Sequence, residues 1–173
     1  MSHPPKVRIA NHDDAQAITS VINAAFRVAE SFFIVADRVD LGTVLGYLES
    51  GVFLLAERDG VLLGCVYVEM QTGQSLVTSD ERAYLGLLSV DADHQHAGLG
   101  SVLMDAAEVY AAGQGAVAMD IKVVSLREEL FGYYQRRGYV ENGTSDFPAD
   151  IETTMPCHFV ELTKPLTAQR EIL

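Results

Sequence analysis

The sequence is poor in positive charge. Lys and Arg number 12 against 24 Asp and Glu, which leaves a formal net charge of -12 at pH 7. A protein that neutralises the phosphates of a nucleic acid needs a basic face, so nucleic acid is excluded as the main partner. A local anion site is not excluded, because backbone N–H groups bind phosphate inside acidic proteins. The acidity is compatible with cationic substrates such as amines, although a solvated acidic surface is the more frequent explanation. Cysteine is scarce as well. Cys65 and Cys157 are the only two, and Cys65 lies in an apolar run. They make no disulfide framework, and no CxxC or Cys/His spacing points to zinc, so no metal is expected. No apolar run reaches the roughly 18 residues that a membrane span requires. Residues 1–10 carry two prolines and no apolar stretch of signal-peptide length, so the chain reads as soluble and cytoplasmic. Repeats, low-complexity tracts and linkers are missing too. The 173 residues, 49% hydrophobic and 21% charged, therefore read as one folded domain spanning 1–173.

What is present is a regular succession of patterned segments. Residues 6–10 alternate as a short strand. Asn11-His12-Asp13-Asp14 offers a cap and an acidic first turn, and Ala15, Ile18, Ile22, Ala25 and Phe26 follow at helical spacing. Residues 27–38 show no clear period, and 40–50 read as a helix. Residues 52–57 and 61–70 read as a hairpin turning at Asp59-Gly60. A polar loop over 71–82 precedes a buried strand over 83–90. After a polar connection, 98–114 form a strong helix with Leu99, Leu103, Ala107 and Tyr110 on one face. A strand over 116–124 and a helix over 127–137 follow, then a strand pair at 139–142 and 158–162. The order β-α-α-β-β-β-α-β-α-β-β predicts an α/β fold: a mixed, mostly antiparallel sheet with flanking helices and a central βαβ unit.

The segment that carries chemistry is Gln95-His96-Ala97-Gly98-Leu99-Gly100-Ser101, between a buried strand and a strong helix. Glycines there let a ligand approach the backbone closely. The first N–H groups of the helix have no intrahelical acceptor, and the dipole adds positive potential, so a pyrophosphate suits the place. A P-loop would need Lys after Gly100, and a dinucleotide fingerprint would need glycine where Leu103 stands.

Val90 followed by Gln95-x-x-Gly98-x-Gly100 resembles the acetyl-CoA signature Q/R-x-x-G-x-G/A of the GNAT acetyltransferase superfamily. A second block, Tyr134-Gln135-Arg136-Arg137-Gly138-Tyr139, resembles that family's Tyr, three residues, then Gly-Phe or Gly-Tyr. The resemblance implies acetyl-CoA as co-substrate and acetyl transfer to an amine, either a small molecule or a peptide amine. It implies that the N–H groups of His96, Ala97, Gly98, Leu99, Gly100 and Ser101 hold the pyrophosphate, with Gln95 shaping the loop. Leu88 and Val90 would pair with the pantetheine arm where the strand over 83–90 splays from the strand over 116–124. Tyr134 would protonate the departing thiolate, and the Leu88 N–H would face the developing oxyanion. Packing is the competing account of Tyr134, since Leu126, Leu130 and Tyr134 share a helix face.

The general base is not marked. Glu69 is the candidate taken forward and Glu81 is the second, although a charge at a strand end is ordinarily just solvated. His94 and His96 flank Gln95 as surface histidines or anion partners. Arg127, Arg136 and Arg137 are candidate phosphate contacts, and Phe26, Phe32 and Phe33 fall where the family shapes its acceptor site. Tyr139 stands where Phe is usual, and His96 and Ala97 stand where Arg or Gly is frequent. The expected attack is direct, without an acyl-enzyme on Cys65. The resemblance also points to a homodimer, which no residue specifies. The rival function is a CoA-binding regulatory or sensory module without turnover.

Overall fold

The computed structural model describes residues 3–72, 81–95 and 98–167. Strands β1 (Lys6–Ile9), β2 (Val52–Arg58), β3 (Val61–Thr72), β4 (Glu81–Val90), β5 (Ala118–Val124), β6 (Val140–Asp146) and β7 (His158–Pro165) form one sheet in the order β1-β2-β3-β4-β5-β7-β6. All neighbours are antiparallel except β4 and β5. That parallel pair is joined by helix α3 (Leu99–Gly113), the crossover of the predicted βαβ unit. Helices α1 (Ala15–Glu30), α2 (Leu41–Ser50) and α4 (Glu128–Arg136) complete the expected order.

The centre of the sheet is buried on both faces, which explains why β2 reads as a continuous apolar run. Phe53 and Leu55 pack with Cys65 and Tyr67 beneath α1 and α2. Leu54 and Ala56, pointing the other way, pack with Val66, Val68 and the α3 residues Leu99, Leu103 and Ala107. Asp59 (φ 51) and Gly60 (φ 79) make the two-residue hairpin turn that an Asp-Gly pair favours.

Residues 27–38, without a clear period in the sequence, divide in two. α1 runs on to Glu30, and a strap then leads to the Asp40 cap of α2, where Thr43 N–H donates to Asp40 Oδ1 at 2.7 Å. The strap is pinned. Asn23 donates to Val39 C=O at 2.8 Å and accepts from Val39 N–H at 3.0 Å. Ile34 bridges Thr153, and Thr154 N–H donates to Phe33 C=O at 2.8 Å, tying the strap to the β6–β7 connection.

Candidate active site

The site begins with a sheet that fails to close. β4 pairs with β5 only from Arg82 to Leu85, against Ala118 to Ile121. Beyond Leu85 the two strands separate, and a cavity of about 600 Å³ opens between Gly86–Leu88 on one side and Lys122–Val124 on the other. β4 is bulged at this point. Leu87 and Leu88 together stand opposite Val66, and Leu87 adopts φ 54. A left-handed leucine costs about 1 kcal/mol or more. The buried Ser89 hydroxyl donates to Leu87 C=O at 3.0 Å and holds the bulge in place.

A second cavity of about 550 Å³ shares Phe26, Leu88, Arg127 and Leu130 with the first, so the two form one trench. Its walls include Val90, Gln95, Gly98, Gly100 and Ser101. Gly98 caps α3 at φ 76, and a Cβ built there meets nothing within 4 Å. The backbone at that turn therefore faces open space. The first helical bond runs from Val102 N–H to Gly98 C=O at 3.1 Å, so the N–H groups of Leu99, Gly100 and Ser101 precede any helical acceptor. Gln95 Nε2 donates to Val90 C=O at 3.4 Å, which braces the loop against the strand end. His96 and Ala97 lie outside the described residues. His94 turns back to Asp91, with Nδ1 at 3.3 Å from Oδ1.

Tyr134 lines the first cavity while its ring is buried against Tyr133 and Tyr139. Burial, then the neighbouring Tyr133, pushes its phenol up to about 12. Tyr133 is the neighbouring residue on α4. It lines the second cavity, with its hydroxyl 3.4 Å from Ser101 Oγ.

The carboxylates are arranged otherwise than the sequence suggests. Glu81 lies at the start of β4, near Gly115, seven positions and roughly 23 Å of strand from Leu88. That removes it from the site. Glu69 sits behind Tyr67, whose hydroxyl donates to its Oε2 at 3.2 Å, and it does not line the trench. Three carboxylates line the trench, and of these Asp150 and Glu129 are exposed while Glu30, at the last turn of α1, is buried at 2% exposure. Arg127 Nη1 approaches its Oε2 at 3.5 Å, and Oε1 is buried without a partner. Burial raises the Glu30 pKa, while Arg38 and Arg127 hold it down less strongly.

Of the remaining candidates, Arg127 lines both cavities and is also paired with Glu129 at 2.6 Å. Arg137 is taken up by Asp105 at 2.6 Å, and Arg136 is exposed on α4. Phe26 lines the trench, Phe33 is core and Phe32 is exposed. Among the described residues no group of three or more His, Cys, Asp or Glu is placed to hold a metal ion. No helix among them is long and apolar enough to cross a membrane.

Comparison with known proteins agrees with this geometry. Residues 10–139 match the model of the acetyltransferase (GNAT) family. No curated protein sequence matches the chain. Among solved structures, yncA from Salmonella typhimurium, determined with its cofactor acetyl-CoA, is 20% identical with a TM-score of 0.71, covering 97% of each chain. An N-acetyltransferase from Staphylococcus aureus is 16% identical with a TM-score of 0.73, covering 95% of this chain and 100% of that one. The ribosomal-protein-alanine N-acetyltransferase from Brucella melitensis is 17% identical with a TM-score of 0.70, covering 93% and 99%. At these identities the likeness is one of fold.

Proposed function

The chain belongs to the acetyltransferase (GNAT) family, and on that premise we propose that it transfers an acetyl group from acetyl-CoA to a primary amine by direct attack. The observation that carries this reading is the half-paired β4, whose free edge from Gly86 to Val90 leads to the open turn at Gly98. The groups present fit acetyl-CoA. Unpaired N–H groups at the start of α3 suit a pyrophosphate, and the Leu88–Val90 edge offers main-chain partners to the amides of the pantetheine arm.

Each step then has a residue in reach of the trench. Glu30 takes a proton from the acceptor ammonium, directly or through water. Its raised pKa brings it nearer to that of the amine and makes it a better base than an exposed carboxylate. This assignment replaces Glu69, which lies behind Tyr67. The N–H of Leu88, at the bulge, meets the negative charge that develops on the carbonyl oxygen. Tyr134 donates to the departing sulfur. A phenol near 12 facing an ordinary thiol near about 8.5 gives up its proton uphill. The same dry surroundings raise the proton affinity of the sulfur, which narrows that gap. Cys65 is fully buried with its thiol pushed up to about 12, which supports a mechanism without an acyl-enzyme. The 173 residues act as one acyltransferase domain.

Calorimetric titration with acetyl-CoA tests the reading, with Gly100→Trp as the blocked control. Saturable binding by the natural protein, lost in the control, supports it. Absence of binding removes it. Binding without acetylation of any amine leaves a CoA-binding regulatory module instead.

A further inference from the structure

We propose that the acceptor is a small zwitterion, a primary amine with a free carboxylate beside it, its ammonium group against Glu30 and its carboxylate against Arg38. This rests on the acetyl-transfer reading above and narrows its acceptor to the amino-acid class.

The first support is a pair of buried polar atoms of opposite sense. Glu30 Oε1 has no partner, and neither has Arg38 Nη1. Both residues line the first cavity and a smaller one of about 260 Å³ beside the end of α1, and no hydrogen bond joins them. An unpaired buried acceptor and an unpaired buried donor are each costly alone. Together, in one cavity, they are complementary to a ligand that carries an ammonium and a carboxylate.

The second support is that Arg38 is held. Its guanidinium lies 5.4 Å from the Phe26 ring centroid and 5.8 Å from that of Phe147. The next residue, Val39, is clamped at both its N–H and its C=O by Asn23. A guanidinium fixed in this way loses little freedom on binding a carboxylate.

The third support is the local charge. The first cavity is lined by Arg38, Lys122 and Arg127 against Glu30 and Asp150, and Glu129 on the wall of the second pairs with Arg127, so the trench is balanced in charge rather than acidic. The acidity of the whole chain, -12, lies elsewhere. A polyamine finds no acidic cleft here, whereas a carboxylate finds cations. Tyr47, Tyr67, Ile121 and Phe159 on the same walls suit an apolar side chain.

The test uses the full chain saturated with CoA and calorimetric binding of leucine, methionine and phenylalanine. Each is compared with its amide, which lacks the carboxylate charge, and with the acid lacking the amine. The zwitterion of at least one series binds tighter than both analogues by roughly tenfold or more. Arg38→Met collapses the acid-to-amide ratio towards one, and Arg38→Lys retains part of it. Equal binding of acid and amide, or equal loss of both in Arg38→Met, overturns the proposal. So does failure of every zwitterion to bind at millimolar concentration while acetyl-CoA binds normally, and that outcome leaves the acetyl-transfer reading standing. Failure of acetyl-CoA itself to bind removes that reading and the acceptor inference with it.

Discussion

In the proposed mechanism two ionisable side chains in the trench divide the chemistry, and burial shifts both in the same direction. Tyr134 is kept protonated by its surroundings, and Glu30 is made more basic by them. Tyr134→Phe should lower kcat by about 100-fold with acetyl-CoA binding unchanged, as single-turnover kinetics and titration would show. Glu30→Gln makes a sharper prediction because it separates activity from stability. The folded-state pKa of Glu30 lies above its ordinary value, so the folded chain holds that proton more tightly than the unfolded one. Its stabilising contribution is full below the ordinary carboxylate range and is lost as pH rises through the raised value. Above that value the ionised carboxylate is a net burden, and Glu30→Gln should raise Tm there. The gain should fade in acid. On the proposed base role of Glu30, kcat/KM of the natural enzyme should rise with pH as Glu30 ionises and the variant should lose that rise, and a pH series on both proteins checks each half.

At the scale of elements, the second motif block is a helix terminator. At the end of α4, Gly138 N–H donates to Gln135 C=O at 3.0 Å and Tyr139 N–H to Tyr134 C=O at 3.1 Å. Gly138 takes φ 96, and the Tyr139 ring packs against Tyr134 across the cap. The spacing of Tyr134, Gly138 and Tyr139 is thus the spacing of a cap whose hydrophobic contact positions the Tyr134 ring. The Tyr139 hydroxyl, absent where the family has Phe, donates to Glu108 at 2.9 Å. Gly138→Ala should cost about 1–2 kcal/mol in denaturant unfolding and should lower kcat more than it raises the KM for acetyl-CoA.

The element order was legible because each segment's apolar period agrees with its place between two helix layers. The α3 turn was legible because its residues are contiguous. The acceptor half was not. Glu30 and Arg127 stand 97 positions apart and meet only when α1 and the start of α4 converge on the open end of the sheet. One faint signal was available. A glutamate in the last turn of α1 sits at the negative end of a helix dipole, an unfavourable place that suggests another use.

For the molecule as a whole, β7, the last strand among the described residues, inserts between β5 and β6. The sheet is therefore completed only when its C-terminal strand arrives, and the apolar clusters on its two faces share strands β2 and β3. Thermal unfolding should show one cooperative transition, with calorimetric and van't Hoff enthalpies equal. Two resolved transitions would break the single-domain reading. Of the two edge strands, β1 and β6, the latter reads Val-Glu-Asn-Gly-Thr-Ser-Asp with a bulge between Glu141 and Gly143, which is poor material for joining another sheet edge.

The parting of β4 from β5 also works as a ruler. The gap narrows to a closed rung at Leu85 and Ile121, so it has a floor, and both side chains there are buried. A two-carbon acyl group can rest above such a floor, while each further carbon presses on a paired sheet that does not yield. The enzyme should therefore measure its donor by length. Propionyl- and butyryl-CoA should lose roughly tenfold or more in kcat/KM per added carbon, and trimming the floor with Ile121→Ala should lengthen the scale.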